Sequence, residues 1–119
     1  MAYDRRTRSE GIRAWAVQPG GVATGLMRHM DDATKKQLGE HPYLKNIFKN
    51  PEQGAATEVW AACSRALEGK GGDYLEDCQI IGPYQEGTDT FAPGYAPHAH
   101  DEADQEKLLE LSRKLVEIQ

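Results

Sequence analysis

The feature that most restricts how this chain can fold is a short run, Ile12-Arg13-Ala14-Trp15-Ala16-Val17, framed by Gly11 on one side and Pro19-Gly20-Gly21 on the other. The run is brief, largely apolar and bounded by turn residues, which predicts a central strand buried on both faces of a parallel sheet. Upstream, residues 2–10 are polar and arginine-rich without an apolar stripe. They suit the exposed last turns of a helix that Gly11 stops in the left-handed conformation.

Downstream, residues 19–50 mix Gly, Pro and charge with two small apolar groups, Leu26, Met27 and Met30, then Tyr43, Leu44, Ile47 and Phe48. Each group lies along one helical face and neither is long enough to stand without packing, so two short helices joined by a loop are expected, an arrangement suited to a lid. The strongest local signal follows in Asn50-Pro51-Glu52-Gln53: an N-cap, a proline at the first helical position and the Gln of a capping box. The helix it starts carries Ala55, Ala56, Val59, Trp60, Cys63 and Leu67 at helical spacing, with Gly69 as its stop. After Gly71-Gly72, residues 73–81 read as one short strand closed by a turn at Gly82-Pro83. Residues 82–100 read as loop. A last helix is expected from an Asp101 cap to Ile118, with Leu108, Leu111, Leu115 and Ile118 along one face.

The 119 residues are 39% hydrophobic and 28% charged, enough for one unit with one core but with little margin if its sheet is incomplete. A formal net charge of -5 and a pI near 5.3 oppose a phosphate-binding footprint, so nucleic acid is not an expected partner. The cluster Arg5, Arg6 and Arg8 reads as a solvated helix end. Cys63 and Cys78 are too few for a disulfide framework and read as reduced, buried thiols. No window approaches the roughly 20 apolar residues of a membrane span and no apolar leader follows Met1, so a cytoplasmic protein is expected.

Three stretches, in order, carry a family resemblance. They are Gly11-Ile12-Arg13-Ala14 with Pro19-Gly20-Gly21-Val22-Ala23-Thr24, then Pro51-Glu52-Gln53-Gly54-Ala55-Ala56-Thr57, and finally Gly71-Gly72-Asp73-Tyr74-Leu75-Glu76-Asp77-Cys78. Together they resemble the retinol-dehydrogenase-like branch of the short-chain dehydrogenase/reductase family, over residues 5–81 and less specifically over 101–116. The resemblance implies an α/β fold, the C-terminal part of a doubly wound Rossmann-type domain: two parallel strands, lid helices, one long helix and a C-terminal helix. The strand at 12–17 would be the sixth of that sheet and the one around Tyr74 the seventh. Residues 1–119 would form a single partial domain, with 1–81 as the Rossmann part, a substrate lid at 25–50, and a closing loop and helix at 82–119.

The family would place Pro19, Gly20, Gly21, Val22 and Thr24 at a cofactor, NAD or NADP. The backbone near Val22 would meet the nicotinamide carboxamide, and the Thr24 hydroxyl would reach cofactor oxygens. Physical reasons run alongside: ligands of open α/β sheets bind at the carboxyl ends of strands, and glycines let backbone approach a flat ring. Gln18 stands where relatives commonly carry His, keeping a hydrogen-bonding side chain without a titratable one.

Such an enzyme also needs a Gly-rich turn to seat pyrophosphate and a Tyr acid/base tuned by a Lys. Neither pattern occurs in the sequence; Tyr3, Tyr43 and Tyr74, for example, are followed four residues on by Thr7, Ile47 and Cys78. No catalytic residue and no metal ligand is assigned. His98 and His100 read as loop residues short of a zinc site, Cys78 as a small buried residue and not a nucleophile, and Trp60 as packing. The expectation is a fragment of an NAD(P)-dependent oxidoreductase for a lipophilic alcohol or carbonyl. Alone it would be inactive and without bound cofactor, its partner a missing N-terminal half. The alternative is a non-catalytic dimerisation module, because a sheet stripped of its first strands leaves an open edge and apolar helix faces that seek a partner, a second copy included.

Overall fold

Gly11 makes the first sharp stop in the chain. Helix α1, Ala2–Thr7, runs into a 3-10 turn, Arg8–Glu10, and Gly11 ends it at φ 80°, in the left-handed region expected of it. The computed structural model describes residues 1–41, 47–87 and 92–116. Beyond Gly11 the chain extends into β1, Ala16–Gln18, which pairs in parallel with β2, Tyr74–Glu76; Ala16 lies opposite Tyr74 and Gln18 opposite Glu76. The two parallel strands expected from the sequence are therefore present.

Two details differ from expectation. β1 is shorter than the apolar run and lies at one edge of a three-stranded sheet ordered β1-β2-β3, half-buried rather than enclosed on both faces. The segment 73–81 is not one strand but a hairpin: β2 returns as the antiparallel strand β3, Gln79–Ile81. Its two-residue turn holds Asp77 at φ 49° and Cys78 at φ 55°, the pair of positive angles that the tightest hairpin turns require. Asn-Gly or Asp-Gly ordinarily advertises such a turn, and Asp-Cys hides it.

Between the parallel strands lies α3, Pro51–Cys63, opened by a complete capping box. The Gln53 N–H donates to Asn50 Oδ1 at 2.8 Å, and the Asn50 N–H donates to Gln53 Oε1 at 2.9 Å. The helix stops well before Gly69: Ser64 becomes extended and caps a separate 3-10 turn, Arg65–Leu67, leaving Gly69 at φ 74° beyond it. Its buried face is also not the apolar one. Gly54 and Thr57 are buried against the rest of the fold, whereas Val59 is 59% exposed. A Cβ on Gly54 would lie 2.7 Å from a Val22 methyl, so only the smallest residue permits this approach. The helix seats itself by its small side chains, and its larger apolar ones look outward.

Leu26, Met27 and Met30 belong to a 3-10 turn, Gly25–His29, and its close, while the described helix of this region, α2, Asp32–Glu40, falls after them. Its signal is the cap: Asp31 accepts from the Thr34 N–H at 2.8 Å. Tyr43 and Leu44 of the second apolar group lie outside the described residues. The last helix, α4, Glu102–Leu115, starts on the expected Asp101 cap, and Ile118 lies outside the described residues. Its leucine stripe does not pack inward; Leu108 is 66% and Leu115 75% exposed. What docks α4 is the arginine pair of α1. Arg5 donates to Gln105 at 2.8 Å and to Glu106 at 3.1 Å, and Arg6 reaches the same Glu106 at 2.6 Å. These two arginines are thus an interhelical clamp and not a merely solvated helix end.

The apolar core is correspondingly small: among the described residues Ala2, Leu67 and Leu75 are the buried hydrophobics. Cys63 and Cys78, expected inside, are both exposed, one on the outer face of α3 and the other at the hairpin tip. The radius of gyration, 17.0 Å, exceeds the roughly 13.5 Å of a compact domain of this length. Order at the sheet's entrance comes from a buried carboxylate instead. Asp4, without exposed surface though thinly covered, accepts from Arg13 Nε and the Ala14 N–H, both at 3.0 Å, and from Arg8 at 2.9 Å. Gly71 lies against this cluster; any side chain there would collide with Asp4 and the Arg13 guanidinium.

Burial pushes the Asp4 carboxyl up, but the hydrogen bonds from Arg13 and Ala14 and the charges of Arg13 and Arg8 outweigh it and hold the group below its ordinary 3.8. A carboxyl depressed on folding contributes stability that is complete above that ordinary value and is lost as the pH falls through the folded one. Asp4→Asn should therefore cost roughly 2–3 kcal/mol at neutral pH, with Arg13 left partly solvated to moderate the loss, and should flatten the acid limb of stability below about pH 4. Thermal unfolding by circular dichroism between pH 7 and pH 3 reads both effects; unchanged acid dependence in the variant would contradict this assignment.

Candidate functional site

The parallel strands β1 and β2 end on the same side, and two connections leave the sheet there: residues 19–24 after Gln18, and the Asp77-Cys78 turn after Glu76. Gly20 turns the first of these at φ 87°, and its N–H donates to Gln18 Oε1 at 3.2 Å. Val22 then forms a parallel bridge with Lys49, in which the Ala23 N–H donates to the Lys49 carbonyl at 3.0 Å and the Lys49 N–H to the Gly21 carbonyl at 2.8 Å. In this bridge the peptide groups of Lys49 are consumed, while the N–H and C=O of Val22 point to the opposite side. Among the described residues neither Val22 group makes a hydrogen bond.

Thr24 closes the loop. Its Oγ1 accepts from the Leu26 N–H at 3.3 Å, which caps the turn Gly25–His29 and leaves the hydroxyl proton available to a further acceptor. Beneath the loop runs the Lys49 side chain: Nζ donates to the Pro19 carbonyl at 3.0 Å and lies 2.5 Å from Asp77 Oδ1. A Cβ on Gly20 would stand 2.8 Å from that Nζ, so the glycine serves the close approach as well as the positive φ. On the hairpin side, Thr57 Oγ1 accepts from the Cys78 N–H at 3.3 Å. Lys49, Thr57, Asp77 and Cys78 line a shallow hollow of about 280 Å³.

The sheet face opposite α3 carries Tyr74 and Glu76. The Tyr95 ring meets Tyr74 edge-on at 5.8 Å, His100 stacks on Tyr95 at 4.1 Å, and the Gly94 N–H donates to Glu76 at 3.1 Å. His100 is thus part of an aromatic stack, with its Nε2 buried and unpartnered among the described residues. Among the described residues no three His, Cys, Asp or Glu side chains gather as a metal site. No described helix is long and apolar enough to cross a membrane.

The residues singled out from sequence, Pro19, Gly20, Gly21, Val22 and Thr24, are thus gathered at the carboxyl ends of the parallel strands. An unpaired peptide presenting one donor and one acceptor to an open side can take a carboxamide, which offers one of each. Lys49 was missed by sequence reasoning, and so was the role of Asp77. Lys49 stands between an apolar group and a helix cap and carries no motif of its own.

The chain is 46% identical over 115 residues to the short-chain dehydrogenase/reductase prx1 of Penicillium rubens, an alignment covering 97% of this chain and 34% of that protein. A probable oxidoreductase of Streptomyces lividans is 40% identical over 111 residues, 89% of this chain and 37% of its own length. The chain belongs to the short-chain dehydrogenase/reductase family. A polyprenol dehydrogenase of Danio rerio, 37% identical over 68 residues, fits the retinol-dehydrogenase-like branch. This family member spans about a third of the length of the curated relatives it matches. No family model matches it. No solved structure matches it.

Burial drives the Tyr74 phenol up from 10.0 to about 12, assisted by the charge and hydrogen bonding of Glu76 and opposed by Gln18. An acid whose folded value is raised gives stability that is complete below the unfolded value and is lost as the pH rises through the folded one. Titrating phenolate absorbance should therefore show that Tyr74→Phe removes a phenol that ionises near pH 12. Loss of a phenol that ionises near the ordinary 10.0 instead would refute the arrangement of Tyr74 beside Glu76 and Gln18.

Proposed function

We infer that this chain supplies the nicotinamide side of a cofactor site, and part of the substrate cover, in an NAD(P)-dependent oxidoreductase acting on an alcohol or carbonyl. The reading places the chain as the C-terminal part of a doubly wound Rossmann domain. The observation that carries it is the unbonded Val22 peptide, facing outward from a glycine loop at the carboxyl ends of parallel strands. NAD or NADP supplies the hydride acceptor or donor when bound. The chain's part would be to orient: the Val22 N–H and C=O would hold the carboxamide, and the Thr24 hydroxyl would donate to a cofactor oxygen. The turn Gly25–His29 and α2, Asp32–Glu40, lie directly after this loop, where a lid over the substrate would stand. A polyprenol dehydrogenase among the relatives supports a lipophilic substrate.

Alone, this chain is read as inactive. Its sequence holds neither the Gly-rich pyrophosphate turn nor the Tyr-x-x-x-Lys pair, and one carboxamide contact is too little to hold a dinucleotide. Calorimetry with NADH and NADPH should find no micromolar affinity in the isolated chain. The site itself is tested by placing this chain in the corresponding third of the Penicillium rubens relative and replacing Val22 by proline, which removes the N–H. Turnover should fall at least about tenfold against the unsubstituted chimera. Wild-type turnover in that variant would refute the nicotinamide contact.

A second reading, as an assembly module, has an observation of its own. Ala14 and Ala16 direct their peptide groups to Gly72 and Asp73, so those of Trp15 and Val17 face the open edge of β1, beside the outward apolar residues of α3. A partner strand, from the remainder of such a domain or from a second copy, would close that edge. Sedimentation velocity should find self-association that grows with concentration; a monomer that unfolds cooperatively would count against it.

A further inference from the structure

We propose that Lys49 is the positioning residue of the cofactor loop: it holds the Val22 peptide open toward the nicotinamide by fastening the loop from both its backbone and its side chain. This rests on the reading of residues 19–24 as a nicotinamide contact and extends it to residues that reading does not include. Four contacts converge on Lys49. Its backbone takes the Ala23 N–H and gives its own N–H to Gly21, which fixes the peptide planes on either side of Val22 and turns the Val22 groups outward. Its ammonium, with the side chain only 22% exposed, binds the Pro19 carbonyl at the start of the loop. The same ammonium is fixed in place by Asp77, at the tip of the β2–β3 hairpin. One residue therefore ties the loop to the end of β2, and because Asn50 follows directly as the cap of α3, the helix is drawn into the same joint.

The neighbouring residue choices follow from this joint. Gly20 takes φ 87° and, lacking a Cβ, leaves the space in which the Lys49 ammonium sits. Asp77 accepts a positive φ, which Asp and Asn tolerate better than most residues, and that places its carboxylate in reach of Lys49. Gly54 lets α3 press on the Val22 side chain, so that side chain is fixed from one direction while its peptide is fixed from another. A loop between a strand and a 3-10 turn would otherwise be free to rotate the peptide at Val22, and a carboxamide contact would be lost with it.

The test uses the 119-residue chain and backbone amide exchange read by NMR. Lys49→Met keeps the length of the side chain and removes its charge and donors, and Asp77→Asn removes the counter-charge while tolerating the same turn. Both should accelerate exchange of the Ala23 and Lys49 amides, by at least about tenfold for Lys49→Met. The Ala16 amide, bonded to Asp73 within the sheet, should keep its wild-type protection, and Lys36→Met on α2 should alter none of these. Unchanged exchange at Ala23 and Lys49 in both variants overturns the proposal. Acceleration spread equally to Ala16 overturns it too, since Lys49 would then be supporting the sheet at large. Should Lys49→Met fold poorly, Asp77→Asn decides alone by the same two criteria.

The chimera described above separates this proposal from the cofactor reading. There Lys49→Met should lower kcat while leaving KM for the nucleotide close to its starting value, because the ring is misaligned while the remaining cofactor contacts stay. If loop amides loosen in Lys49→Met while Val22→Pro leaves turnover intact, the nicotinamide reading fails and the joint stands as a structural one only. If Val22→Pro abolishes turnover and Lys49→Met leaves exchange unaltered, the contact stands and the role of Lys49 falls.

Discussion

The fold depends first on the Asp4 carboxylate. A chain with so few buried hydrophobic side chains has little apolar driving force to set strand register, and the entrance to the sheet is organised by charge-assisted hydrogen bonds instead. Asp4 draws Arg13 and the Ala14 N–H together at the approach to β1. The Ala14 carbonyl then accepts from Gly72, and the Ala16 N–H donates to Asp73, so the two parallel strands meet in register. Gly71 leaves the space that this carboxylate and guanidinium fill. A buried ion pair is weak evidence of net stability, but it is a strong device for choosing one arrangement over its neighbours, and here it sets the arrangement from which the loop at the other end of the strands departs.

What the sequence made legible was the chemistry of ends. Gly11, Asn50 with Gln53, and Asp101 stop or start elements through their own backbone or cap requirements, which no tertiary context has to supply. The glycine loop at residues 19–24 was legible for the same reason. Faces were read less well. The apolar spacing of α3 pointed to Ala55, Val59 and Cys63, but the helix is seated by Gly54 and Thr57, since the closest approach selects for small volume and not for hydrophobicity. The leucines of α4 keep their helical spacing yet face solvent, because arginines of α1 hold the other side.

The missed elements share a cause. α2 is a polar helix whose cap, Asp31, was visible but whose body has no apolar stripe to follow. The β2–β3 hairpin was hidden because its turn places Asp77 and Cys78 where glycine or asparagine usually stands. Lys49 was hidden because its partners, Pro19 and Asp77, are 30 and 28 residues away in sequence. Pattern reading detects local preference, and a lysine chosen for a distant carbonyl expresses none.

The exposed apolar surface and the short, open-edged sheet occur in a chain that spans about a third of the length of its relatives. It does not follow that the loop at residues 19–24 has lost its shape. The described contacts that fix it come from within this chain: the Lys49 bridge and ammonium, the Asp77 counter-charge, the Gly54 seat for Val22 and the Thr24 cap. The opening of the sheet lies along the outer edge of β1, whereas these contacts lie at its carboxyl end and toward β2. The contacts that shape the loop and the open edge of the sheet are therefore separable, so the form of residues 19–24 does not depend on what covers the outer edge of β1.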